Sequence, residues 1–236
     1  TKKMNTSLTH SLTKTLAAAL TAAFLLTLTM SVTDAAIIDV GDSLVPDGLA
    51  GDTFHLAFIT SGARDATSSD ITVYNDFVDG QAENSGSLVA DKDWTWTAIA
   101  STNSVDARDN ALVSAPVYNL QGDLIATGFD DIWDGSISNP VYYTEAGLDA
   151  PSNHVRTGTG VDGTGNVELG GYKSTLGRGM TLTDGGWISA DTNRESRYDH
   201  VFYALSEEIT VIPEPTSLAL LGLGGLLIAG RCRRRN

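Results

Sequence analysis

Short apolar runs, a single helical stripe and long polar loops predict an α+β domain. The runs 54–59 and 200–205 are strand-length and almost wholly apolar. Ile71, Tyr74, Phe77, Val78 and Ala82 fall at helical spacing and mark the one substantial helix. Gly, Ser, Thr, Asn and Asp fill the intervals, with six glycines in residues 158–171 alone.

Each element follows from its local residues. Residues 54–59 read as a buried strand. Ser68-Ser69-Asp70 offers side-chain oxygens to cap a helix over 71–82. Residues 94–98 alternate as a strand, with Trp94 and Trp96 on one face. Residues 106–110 predict one helical turn, and 116–119 a short strand closed by the Gly122-Asp123 turn. Residues 128–135 predict a single helical turn with Phe129, Ile132 and Trp133 on one side. Trp187-Ile188 reads as a short strand, residues 158–171 as a loop or set of turns, and 200–205 as the closing strand. No fixed-period repeat is visible, which disfavours solenoids and propellers.

The two ends are different in kind. Lys2, Lys3 and Lys14 precede an apolar stretch over 16–30, and small residues follow at Thr33 and Ala35. This is the layout of a secretory signal peptide over 1–35, removed by signal peptidase. An uncleaved N-terminal anchor is the simpler alternative. At the other end, residues 213–236 run Pro213-Glu214-Pro215, then an apolar segment, then Arg231, Arg233, Arg234 and Arg235 around Cys232. Two prolines around one residue continue neither strand nor helix, because each lacks an N–H and fixes φ. The apolar segment is shorter than the ~20 residues a stable transmembrane helix needs. A plain membrane anchor and a removable sorting signal both fit this order. The triplet, the Ser217-Leu218-Ala219-Leu220-Leu221-Gly222 opening and the Arg cluster together resemble the PEP-CTERM sorting domain of Gram-negative bacteria. That resemblance implies an exosortase-type processing enzyme as partner, and an extracellular-matrix or biofilm setting. Under either reading residues 36–212 lie outside the cytoplasm, with transient or permanent anchoring by the C-terminal hydrophobic helix.

Residues 36–212 hold eight Lys and Arg against 27 Asp and Glu, a net charge of −19. Such a surface repels nucleic acid, so nucleic acid is excluded as a partner. The single cysteine, Cys232, lies in the tail, so the domain holds itself by core packing without disulfides.

The element order in the middle resembles the C-type-lectin-like fold, in its endostatin-like branch. The likeness is carried by residues 56–62, 96–101 and 117–125 running into 129–135, then Thr157-Gly158, Asp162-Gly163, Gly186-Trp187-Ile188 and a strand after Asp199-His200. It implies that the first and last strands pair, setting residues 54–60 beside 201–205. The fold's usual disulfide cysteines and calcium-dependent sugar motifs are missing; Asn139-Pro140 and Trp133-Asp134-Gly135 are partial echoes. The acidic surface contradicts endostatin's basic heparin face, and His55 alone does not make its zinc site.

The sequence holds no Gly-x-Ser-x-Gly elbow, His-Glu-x-x-His, Walker loop or EF-hand loop. His55, His154 and His200 sit in or beside apolar strands and read as structural. Asp130, Asp131 and Asp134 form the densest acidic cluster, on a turn bounded by Gly135, and oxygen ligands so placed suit Ca²⁺. A solvated turn whose carboxylates bond nearby backbone is the other reading. The sequence therefore predicts an exported, non-enzymatic adhesion, glycan-binding or biofilm-matrix component with extracellular polysaccharide as partner. A secreted polysaccharide-acting enzyme with a carboxylate pair, or a purely structural surface protein, are the alternatives.

Overall fold

The computed structural model describes residues 35–49 and 52–212. Almost all of the predicted signal segment lies outside the described residues. So do the tail residues Pro213, Glu214, Pro215, Arg231, Arg233, Arg234 and Arg235. Among the described residues no helix is long and apolar enough to cross a membrane.

The domain is mostly strands with few helices. The strands are β1 (Ala36–Asp39), β2 (Thr53–Ile59), β3 (Trp96–Ala98), β4 (Val117–Asn119) and β5 (Leu124–Ala126). They continue as β6 (Val155–Arg156), β7 (Lys173–Gly177), β8 (Asp191–Glu195), β9 (Val201–Ser206) and β10 (Ile209–Ile212). The helices are α1 (Thr72–Ala82), α2 (Ala107–Asn110) and α3 (Phe129–Ile132). The sheet runs β1-β10-β2-β9-β6-β7-β8, with β3 also on β9, and β4 joining β2 to β5.

The centre of the sheet explains the continuous apolar runs. In β2, Phe54, Leu56 and Phe58 enter one core while Ala57 and Ile59 enter the other. In β9, Phe202 and Ala204 face the first core, and Val201, Tyr203 and Leu205 the second. A strand covered on both faces loses the polar half of its alternation. The expected pairing of 54–60 with 201–205 is present and antiparallel, with Ala57 opposite Leu205 and Ile59 opposite Tyr203.

Helix α1 covers the first face through Tyr74, Val78 and Ala82. Tyr74 stacks on Phe202 at 5.3 Å between ring centroids. The expected Ser68–Asp70 cap is corrected: the N-cap position is Ile71, with no side-chain cap bond, and Asp70 Oδ1 accepts the Thr72 amide at 3.0 Å in a side-chain turn just before the helix. Polar clamps fix the helix to β3. Asp79 Oδ1 accepts from Trp96 N and Asn75 Oδ1 from Ala98 N, both at 2.9 Å. The second core centres on Trp187, stacked with Trp133 at 6.4 Å and packed on Tyr203 at 5.5 Å. A Cβ at Gly177 would lie 2.0 Å from the Trp187 carbonyl oxygen, so this strand closes on Trp187 only because residue 177 is glycine.

Two further expectations are corrected. Trp187-Ile188 is not a strand: residues Gly185–Trp187 form a 3-10 turn. Asp184 Oδ1 accepts the Gly186 amide at 2.9 Å, and this side-chain turn outcompetes a ladder for the Gly-Gly backbone. The outermost pairing of the domain is also not the expected one. β1 and β10 pair in parallel, Ala36 opposite Ile209, outside the β2–β9 ladder.

Candidate functional site

Asp130 and Asp131 sit in α3, and Asp134 two residues beyond its end. They line an open cavity of about 580 Å³ with Thr127, Gly128 and Phe129. The carboxylates are engaged locally. Asp131 Oδ2 accepts from Thr127 N at 2.6 Å and Thr127 Oγ1 at 3.0 Å. Asp134 Oδ1 accepts from Ser136 N and Oγ, both at 2.9 Å. Among the described residues no group of three or more His, Cys, Asp or Glu is placed to hold a metal ion. Asp131 and Asp134 thus each serve a neighbouring backbone amide within the same short turn.

His55 has structural partners on both ring nitrogens. Ser114 N donates to His55 Nε2 at 3.1 Å, so the proton sits on Nδ1, which donates to Ser206 O at 2.9 Å. Burial lowers its pKa and keeps it neutral. His200 is held by backbone pairing with Arg64, at 2.9 and 3.1 Å. Trp94 and Trp96 are both buried, so neither offers a ring to solvent.

Exposed aromatic surface gathers elsewhere, at the open end of the β7–β8 ladder. Tyr172 immediately precedes β7 and is 72% exposed; Tyr198 follows β8 and is 54% exposed. Ser196 N donates to Tyr172 O at 2.9 Å, joining the two segments. An ion pair lies between the rings, with Arg197 Nε 2.8 Å from Glu195 Oε2. Glu195 Oε2 has no hydrogen-bond partner. Arg197 also donates to Tyr198 Oη at 3.2 Å and lies 5.1 Å from its ring centroid. The neighbouring Glu195 carboxylate raises the Tyr172 phenol above its ordinary pKa.

A buried cation fixes this surface from below. Arg156 is fully buried at the end of β6. Its guanidinium donates to Ser174 Oγ at 2.9 Å, to the carbonyls of Ser174, Arg194 and Glu195 at 3.2, 3.4 and 3.2 Å, and to Tyr198 O at 3.1 Å. Burial lowers its pKa to about 10, so it stays charged at neutral pH. It therefore holds both the end of β8 and the backbone beneath Tyr198.

Exposed phenol rings beside an ion pair are suited to stack on apolar faces and to hydrogen-bond hydroxyls. The neighbouring charges are largely neutralised, since Arg194 also pairs with Asp191 at 3.1 Å. Nothing in sequence patterning marks this site. Tyr172 and Tyr198 stand 26 positions apart, each among polar residues.

Residues 211–235 match the PEP-CTERM protein-sorting motif. This supports the reading of the Pro-Glu-Pro triplet, apolar segment and Arg cluster as a signal for exosortase processing. It implies export to the cell envelope or surface. No curated protein matches the chain.

Proposed function

We propose that this chain is a surface-displayed, non-enzymatic matrix component that holds neutral polysaccharide on its Tyr172–Tyr198 face. The carrying observation is the pair of exposed tyrosines locked around the Glu195–Arg197 ion pair, in a protein whose tryptophans at 94 and 96 are buried. Tyrosine supplies large rigid contact area at small entropic cost, which is why it recurs at recognition surfaces. The domain's net charge of −19 repels acidic polymers and leaves neutral ones as the partner. The sorting motif supplies the setting. Signal peptidase cuts after Ala35 and an exosortase-type enzyme acts at Pro213-Glu214-Pro215. The β2–β9 pairing supports the C-type-lectin-like reading of the fold.

A glycan array probed with the full chain, with and without calcium, tests the assignment. Binding to neutral glycans in both conditions is expected, with reduced cell aggregation in a deletion strain. No glycan binding in either condition, together with unchanged aggregation, contradicts it.

A further inference from the structure

A second site lies away from the tyrosine face. Ser61 just past β2, residues 84–87 after α1, and the loop 144–149 enclose a cleft of about 530 Å³. This is the size of a small-molecule pocket.

The cleft is built around one buried acid. Glu145 is 3% exposed, and its carboxylate accepts from Ser61 N at 2.9 Å and from Ser61 Oγ. No Lys or Arg lines the cleft, and among the described residues none forms a salt bridge with Glu145. Neutral donors alone hold this buried carboxylate, so a cationic group is the partner its site lacks. Two further features add negative potential. Asp149 lines the same cleft, accepting from Tyr142 Oη at 3.1 Å. Helix α1 ends against the cleft wall with no basic residue in its last turn, so its carbonyl end is unopposed.

The walls are fixed in advance. Leu88 N donates to Glu145 O at 2.9 Å, and Gly147 N to Thr144 O at 2.8 Å. Gly62 N donates to Gln81 Oε1 at 2.8 Å, which locks the turn that carries Ser61. Asn84 and Ser87 contribute polar groups to the lining, and Leu148 an apolar one.

We propose that this cleft binds the protonated primary amine of a small hydroxylated molecule, with an amino sugar as the fitting chemistry. The ammonium meets the Glu145 carboxylate in a charge-assisted hydrogen bond. The hydroxyls meet Ser61, Asn84 and Ser87, and an apolar ring face lies on Leu148. No cation in the lining competes for the acid, so the cleft selects for the amine over its neutral analogues. The site is independent of the tyrosine face.

The full chain is titrated with glucosamine, glucose and N-acetylglucosamine at pH 6.5, with binding read by calorimetry and saturation-transfer NMR. Glucosamine alone is expected to bind, about ten-fold more weakly in Glu145→Gln and unchanged in the Tyr172→Ala/Tyr198→Ala variant. Leu148→Lys sets a fixed ammonium at an exposed rim position and is expected to weaken binding equally. It decides the matter if Glu145→Gln does not fold. The proposal is overturned by absent glucosamine binding, by equal binding of either neutral sugar, by displacement with equimolar calcium, or by wild-type affinity in folded Glu145→Gln or Leu148→Lys.

Discussion

Arg156 carries its charge where no carboxylate pairs with it among the described residues. Backbone carbonyls and the Ser174 hydroxyl take the protons of its two terminal nitrogens instead, while Nε has no partner. Replacing it by methionine would leave the carbonyls of Glu195 and Tyr198 without this donor, in a site closed to water. Arg156→Met is expected to cost about 3 kcal/mol, read from the denaturant midpoint, because buried acceptors that lose a charged donor are expensive. The same change would loosen the Tyr198 backbone and weaken polysaccharide binding. Beside it, His200 has its pKa lowered from 6.5 to about 4, by burial first and then by the Arg156 charge, with His154 and Arg194 adding and Asp199 opposing. The folded state stays neutral at this residue down to about pH 4, whereas the unfolded chain takes up the proton near 6.5. Stability is therefore full above pH 6.5 and falls as pH drops towards 4. Melting temperatures of His200→Gln across this window should fall less steeply than those of the native chain; an identical slope would rule the histidine out as the cause.

The elements differ in how much of themselves they write into the sequence. Strands β2 and β9 and helix α1 were legible because burial on one or both faces demands apolar residues at fixed intervals. The outer strands were not. β6 is two residues long, and β8 reads Asp-Thr-Asn-Arg-Glu with solvent on most of it. Strands β1 and β10 are four residues each and border the two targeting segments, whose stronger signals mask them. The site follows the same rule. Its aromatic rings lie on the unmarked β7–β8 end, and Arg156, which organises them, is an ordinary Val-Arg dipeptide in the sequence. The acidic turn at α3 was legible as a cluster, but its use was not, since spacing cannot tell converging carboxylates from self-bonded ones. Asp131 and Asp134 being committed to Thr127 and Ser136, EDTA should leave the melting temperature unchanged. A drop of several degrees would bring calcium back, because a ligand bound only to the native state stabilises it by mass action.

At the scale of the molecule, the chain couples an address to a surface. The sorting motif at 211–235 directs the domain outward. The net charge of −19 over residues 36–212 keeps it apart from acidic polymers. The surface proposed for polysaccharide contact is the small tyrosine face at the edge of the sheet. Both rings are solvent-exposed, so removing them should change stability by no more than about 0.5 kcal/mol. The direct test is affinity electrophoresis of the native chain and its Tyr172→Ala/Tyr198→Ala variant through gels containing the neutral polysaccharide selected on the array. Retardation of the native chain, lost in a double variant of unchanged melting temperature, is the predicted result. Equal retardation of a folded double variant would contradict the assignment of polysaccharide binding to this face.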